Sequence, residues 1–162
     1  MKTCIYPGSF DPITKGHMDI IKRAASLFET VYVGVLYNSA KKGMFPACER
    51  VKMVEAAVSG LANVKTVSFE GLLVDLLREL KVNIIIRGLR TNSDLELEQQ
   101  LSYVNNNLLP GTETFALFSR PEMSFVSSTI VRELITFHAD ISEYVPDEVV
   151  TMINGGTKHE SI

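Results

Sequence analysis

The sequence predicts an α/β fold, a doubly wound parallel sheet of five strands with helices on both faces. Three observations carry this. Short β-branched runs alternate with amphipathic segments along the chain, the pattern of strand–helix–strand units. One run, Asn83–Ile86, is apolar almost throughout, as a strand covered on both faces must be. The first apolar run, Thr3–Tyr6, passes through a Gly/Pro-rich loop straight into a helix start.

The elements follow in order. After Thr3–Tyr6 and the loop to His17, an amphipathic pattern runs from Met18 to Phe28. Thr30–Leu36 is rich in β-branched residues and reads as the second strand. Pro46 opens a helix with Val51, Val54, Val58 and Leu61 at helical spacing. Val64–Phe69 is the third strand. Leu72–Leu80 is a short helix with Leu73, Leu76, Leu77 and Leu80 on its apolar side. Asn83–Ile86 is the fourth strand. Ser93–Leu108 is a long helix capped by Asn92 or Ser93 and stopped near Pro110-Gly111. Thr114–Phe118 is the fifth strand. Helices over Ser127–Phe137 and Pro146–Asn154 close the chain, with Gly155-Gly156 as the stop and a mobile polar tail expected after it.

The chain of 162 residues suits one domain, 1–162, with a real core. Apolar residues at 46% and charged residues at 22% are ordinary for a soluble globular protein, and there is no repeat or linker. A net charge of −3 argues against a general nucleic-acid binder. It leaves small anionic ligands open, because local clusters decide those. No apolar run is long enough to span a membrane and no signal peptide is apparent, so the expected location is the cytoplasm. Cys4 and Cys48 lack any metal-ligand or CxxC spacing and read as reduced, partly buried thiols.

In doubly wound sheets, ligands bind beyond the carboxyl ends of the strands, where the strand order reverses. That puts four segments on one edge: the Tyr6–His17 loop, the Tyr37–Phe45 loop, the Glu70–Leu73 turn and the Arg87–Arg90 loop. Thr14-Lys15-Gly16-His17 sits at a helix start, where unpaired N–H groups and the dipole attract phosphate. Gly16 permits close approach, and His17 can donate to a phosphate oxygen. Arg87-Gly88-Leu89-Arg90 follows the apolar strand with two forked donors. Lys41 and Lys42 lie in a polar loop. Ser127-Ser128-Thr129 start a helix, either as caps or with their N–H and O–H groups turned to a triphosphate.

These motifs resemble a known family. Thr14-x-Gly16-His17 is similar to the (H/T)xGH signature of nucleotidyltransferases. Val126-Ser127-Ser128-Thr129-Ile130-Val131-Arg132 is similar to their second signature. The longer Tyr6–His17 string (YPGSFDPITKGH) and Ile86-Arg87-Gly88-Leu89-Arg90 resemble phosphopantetheine adenylyltransferases, over about Thr3 to Ile153. The departures are small: Ser9 stands where threonine is common, and Met123 where tryptophan often occurs.

The resemblance implies a Rossmann-like sheet and transfer of AMP from ATP to 4′-phosphopantetheine, giving dephospho-coenzyme A and pyrophosphate. It gives His17 the role of transition-state stabiliser, with Lys41 and Arg90 in the catalytic group. It gives ATP the residues Ser9, Phe10, His17, Gly88, Leu89, Arg90, Glu98, Met123, Ser124, Phe125, Val126, Ser127, Ser128 and Thr129. It gives the acceptor Ser9, Lys41, Leu73, Arg87, Leu101 and Asn105. Asp94 and Glu96 lie near enough to Glu98 to blur that choice, and Lys42 is a spectator beside Lys41. It also implies a homohexamer and feedback by coenzyme A.

The residues themselves suit direct in-line attack without a covalent intermediate, since the loop offers cations and N–H donors rather than a nucleophile–base pair. Mg²⁺ is expected with ATP, held mainly through phosphate oxygens and water, with no side chain assigned to it. The rivals are a nicotinamide-mononucleotide adenylyltransferase, a cytidylyltransferase and a non-catalytic nucleotide sensor. The IRGLR match and the YPGSFDP start favour the pantetheine enzyme over the first two, and a sensor needs no α-phosphate stabiliser. An aminoacyl-tRNA synthetase core would need tRNA-binding domains and a basic stripe.

Overall fold

The computed structural model describes residues 2–156. Five strands, β1 (Thr3–Gly8), β2 (Thr30–Tyr37), β3 (Val64–Glu70), β4 (Ile84–Leu89) and β5 (Glu113–Phe118), form one parallel sheet in the order β3-β2-β1-β4-β5. The chain winds outward from β1 to β3, then crosses back to start β4 on the other side of β1. The order therefore reverses between β1 and β4, and the crevice opens at their carboxyl ends.

Side-chain alternation along the strands divides the core in two. Cys4 and Tyr6 face one way, against α1 (Lys15–Leu27), α2 (Ala47–Val58), α5 (Ser128–Thr136) and α6 (Asp147–Gly156). Ile5 and Ile85 face the other way, against α3 (Leu73–Leu80). α1 contributes Met18, Ile20, Ile21 and Ala24, and α3 contributes Val74, Leu76 and Leu77. Each of these except the small Ala24 is worth about 1.5–3 kcal/mol when fully buried, which is what holds helices of 8 to 13 residues in place.

Several boundaries differ from expectation. β4 runs on through Arg87, Gly88 and Leu89, which pair with Ala116, Leu117 and Phe118 of β5. The two arginines therefore project from a strand end and the residue after it rather than from a loop. α4 (Asn92–Leu108) is capped by Thr91, not Asn92 or Ser93. Thr91 has extended backbone, its hydroxyl accepts from Asp94 N–H at 3.1 Å, and the Asp94 carboxylate reaches back to Thr91 N–H. The last helix starts at Asp147 and continues across Gly155 and Gly156, and the expected mobile tail lies outside the described residues. Both cysteines are free. Cys4 is buried, which pushes its thiol up to about 12, but Cys48 is exposed in the first turn of α2 rather than partly buried. Among the described residues no helix is long and apolar enough to cross a membrane.

Candidate active site

Two helices start at the β1/β4 crevice. Thr14 caps α1 and Ser127 caps α5, each in extended backbone with its hydroxyl accepting an N–H of the first turn. A Cβ on Gly16 would stand 3.4 Å from the Val126 carbonyl oxygen, so a glycine there lets the two helix starts close together. Two positive dipole ends thus converge on one cavity of about 350 Å³. Ser9, Phe10, His17, Gly88, Arg90, Glu98, Met123, Val126, Ser127, Ser128 and Thr129 line it, all assigned to ATP by the resemblance.

His17 is oriented by its own helix cap. Thr14 N–H donates to His17 Nδ1 at 3.0 Å, and the Thr14 hydroxyl lies 3.1 Å from the same nitrogen. A backbone N–H can only donate, so Nδ1 is the acceptor and the neutral ring carries its proton on Nε2. Burial lowers the imidazole to about 4, assisted by the positive charges of Arg90 and Arg87. The ring is therefore a neutral hydrogen-bond donor at physiological pH. It packs edge-on to Phe10 with centroids 5.0 Å apart, and Phe10 in turn meets Tyr6 at 5.5 Å. Phe10 sits at φ 46°, a left-handed conformation that costs about 1–3 kcal/mol in a bulky residue. Its ring is 1% exposed, and that burial offsets the strain. The ring supports His17, so what Phe10 presents to the cavity is mainly backbone.

The β1–α1 loop is braced through its carbonyls. Pro7 O accepts from Arg87 at 2.6 Å, Ser9 O from Arg50 at 2.8 Å, Asp11 O from Arg132 at 2.8 Å and Pro12 O from the Ser128 hydroxyl at 2.8 Å. Four long-range donors thus hold a Gly/Pro-rich loop in one shape.

The arginines differ in what they have left to give. Arg87 is committed to Pro7 O and, through its other terminal nitrogen, to Glu98. Arg90 is held by Asp94 through its backbone N–H (3.0 Å) and Nε (3.3 Å), while its terminal nitrogens make no such bond among the described residues. Arg90 is therefore the arginine best placed to meet a phosphate without first breaking a contact.

A second cavity of about 450 Å³ is largely apolar and brings together Leu73, Leu101 and Asn105 with Leu72, Val104 and Leu108. Arg87 and Glu98 line both this cavity and the first, so their ion pair stands between them. A third cavity, about 330 Å³, holds Lys41 and Lys42. Ser9 lines all three.

Some predicted residues stand elsewhere. Leu89 is buried in β4, and Ser124 and Phe125 do not line the first cavity; Phe125 is exposed and packs edge-on to Tyr144. Lys15, the cation of the Thr14–His17 helix start, reaches away to donate to Ser142 O at 2.7 Å. The three hydroxyls at the α5 start have internal tasks: Ser127 caps, Ser128 holds Pro12 O, and Thr129 accepts from Arg132 at 3.1 Å. What α5 turns towards an anion is chiefly its N–H groups. Sequence reasoning passed over Asp11, Arg50 and Arg132. Arg132 closes the second signature and could have been found there. Asp11 reaches 33 and 34 residues along the chain to Met44 and Phe45, and Arg50 reaches 41 to Ser9, so neither carries a local signal of its role.

A neutral histidine on the cavity wall, two converging helix starts and a strand-order reversal are the features of a Rossmann-like nucleotidyltransferase site. The profile of the cytidylyltransferase-like family matches residues 5–134. A phosphopantetheine adenylyltransferase of Heliobacterium modesticaldum is 47% identical over 150 residues, covering 93% of this chain and 89% of that protein. Another, from Clostridium beijerinckii, is 46% identical over 153 residues, covering 94% and 96%. A solved structure from Vibrio parahaemolyticus, provisionally named a nicotinate-nucleotide adenylyltransferase, superposes with a TM-score of 0.75 over 99% of this chain and 98% of that one. At 21% identity it speaks for the fold alone. The chain belongs to the cytidylyltransferase-like family and, within it, to the phosphopantetheine adenylyltransferases.

Proposed function

We propose that this enzyme transfers AMP from ATP to 4′-phosphopantetheine, releasing dephospho-coenzyme A and pyrophosphate as a step of coenzyme A synthesis in the cytoplasm. The observation that carries the reading is the pair of cavities at the β1/β4 crevice, one polar and one apolar, meeting at Ser9 and the Arg87–Glu98 pair. The polar one suits a nucleotide triphosphate. The apolar one, with the Asn105 amide among leucines, suits a pantetheine arm that alternates methylenes with amides.

The acceptor's phosphate oxygen forms a bond to the α-phosphorus as the bond from that phosphorus to the β-bridging oxygen breaks and pyrophosphate leaves. No proton needs to be abstracted, because the acceptor is already anionic. His17 contributes its Nε2–H to the α-phosphate as charge builds there, a contribution of about 2.7–4 kcal/mol for one preorganised donor. Neutrality matters: the ring donates without itself needing protonation. Arg90 and the N–H groups at the α1 and α5 starts hold the triphosphate, while Lys41 and Arg87 receive the acceptor phosphate. For Arg87 that means exchanging Glu98 for the phosphate.

Mg²⁺ fits as a companion of the nucleotide. The carboxylates on the cavity wall, Asp94 and Glu98, are engaged by Arg90 and Arg87, so the donor set suits a metal carried by phosphate oxygens and water. It would neutralise charge on the leaving pyrophosphate. The exposed apolar side chains of α4 and of the edge strand β5, among them Tyr103, Phe115 and Phe118, support assembly of several copies, which we read as the hexamer. Product-like coenzyme A would fill both cavities and compete with both substrates, giving feedback.

A thermal-shift panel of ATP, coenzyme A, nicotinamide mononucleotide and CTP tests the substrate class. Stabilisation by ATP and coenzyme A is expected. Stabilisation by CTP or nicotinamide mononucleotide without coenzyme A would overturn it.

A further inference from the structure

Two buried charged side chains stand at the root of the lysine loop. Asp11 is 6% exposed and Arg50 is 7% exposed. Each carboxylate oxygen of Asp11 accepts one backbone N–H, from Met44 to Oδ2 at 2.8 Å and from Phe45 to Oδ1 at 2.9 Å. Arg50, in the first turn of α2, donates from Nε to Phe45 O at 3.1 Å and from a terminal nitrogen to Ser9 O at 2.8 Å. The Phe45 residue is thus gripped at its N–H by Asp11 and at its carbonyl by Arg50. Gly43 completes the fit: a Cβ there would stand 2.9 Å from Asp11 Oδ2. Lys41 lies two residues before Gly43, on the cavity that Ser9, Asp11 and Arg50 also line.

We propose that Asp11, with Arg50 behind it, is a positioning residue for Lys41. The carboxylate fastens the base of an exposed loop so that the Lys41 ammonium meets the acceptor phosphate beside Ser9. This rests on the reading of Lys41 as an acceptor-phosphate cation. An unfastened loop must be ordered each time the acceptor binds, and that entropy is taken from the binding energy. Charge-assisted bonds to two N–H groups remove that cost in advance. With each oxygen holding a backbone N–H of the loop, Asp11 is placed to position rather than to react. A carboxylate is required: asparagine in its place would keep one acceptor oxygen and turn an amide N–H₂ towards the second N–H.

The test uses Asp11→Asn and Gly43→Ala, each with and without Lys41→Ala. The alanine at position 43 attacks the clamp from the opposite side and leaves Asp11 intact. The readouts are the acceptor KM, kcat, the ATP Kd, and hydrogen exchange at the Met44 and Phe45 amides. Either clamp variant is expected to raise the acceptor KM about tenfold, the loss of roughly one charge-assisted bond, with faster exchange at both amides. The ATP Kd should stay within about twofold, since Asp11, Gly43, Met44, Phe45 and Arg50 do not themselves line the first cavity. Adding Lys41→Ala to either should cost little more, because the lysine is already misplaced. Equal losses of acceptor and ATP affinity, or losses that multiply with Lys41→Ala, would overturn the proposal. So would a wild-type acceptor KM in Asp11→Asn beside a raised KM in Lys41→Ala, which would leave the role of Lys41 standing. A wild-type KM in Lys41→Ala would instead bring down the reading of Lys41 and this proposal with it.

Discussion

The polar cavity, proposed for the nucleotide, and the apolar cavity share a wall but are built on different physics. The first is made of groups fixed before any ligand arrives: a capped histidine, two helix starts and an arginine seated on Asp94. The second is made chiefly of leucines, Val74, Val104 and Asn105 on α3, its cap and α4, and α4 buries none of its residues. One recognises by direction, the other by area. Directional groups act on the transition state, whose charge they meet, whereas apolar area holds substrate and transition state alike. Damage to the first should therefore appear in kcat, and damage to the second in KM.

The largest effect is expected at His17. Replacement by alanine should lower kcat roughly a hundred- to a thousand-fold while ATP affinity changes far less. Pyrophosphate-release rates and an ATP titration decide it, and a variant keeping half the wild-type turnover would remove the role.

The wall between the cavities comes next. Arg87→Ala should weaken 4′-phosphopantetheine more than ATP, and Arg90→Ala the reverse, each by about 1.5–3 kcal/mol for a charge-assisted contact. Arg87 touches both cavities and Arg90 only the nucleotide one, which is why the split should be cleaner for Arg90. Separate titrations of the two ligands check this, and equal losses in both variants would erase the division.

A smaller effect is expected on the apolar side. Leu101→Ala should raise the acceptor KM severalfold, about 1 kcal/mol for a partly exposed side chain, with kcat and ATP affinity little changed. Steady-state kinetics with varied acceptor would show it. A loss confined to kcat would mean that this cavity shapes the chemistry as well.

The effect most remote from catalysis is on stability. The native His17 imidazole stays neutral down to about 4, while the unfolded one titrates near 6.5. Between those values the unfolded state binds the extra proton, so stability should fall as pH falls from 6.5 towards 4 and level off below. Urea melts of wild type and His17→Asn across this window should differ in slope, with the wild type the steeper.

The same contrast explains what was legible in the sequence. Contiguous signatures carried the nucleotide side: His17, Gly88, Arg90 and the Ser127–Thr129 helix start all line one cavity. Strand and helix order followed from alternation of apolar patterns, and the reversal at β1 confirms the doubly wound sheet. What stayed hidden was long-range. Arg87 looked like a loop residue because nothing local shows that β5 extends the ladder to Leu89. Lys15 stands at a helix start that attracts anions, yet its partner is Ser142 O, 127 residues away. Asp11 and Arg50 read as ordinary polar positions because their partners are backbone atoms, which leave no mark on the sequence.

The central claim is that two differently built cavities serve ATP and a phosphorylated, amide-bearing arm in one direct transfer. Pyrophosphate release from ATP measured with 4′-phosphopantetheine, with dephosphorylated pantetheine and with nicotinate mononucleotide tests it most directly. Release is expected with the first alone. Pantetheine should neither react, lacking the nucleophile, nor compete well, lacking the group that Lys41 and Arg87 receive. Release with nicotinate mononucleotide, or competition by pantetheine as strong as that of its phosphorylated form, would contradict the account.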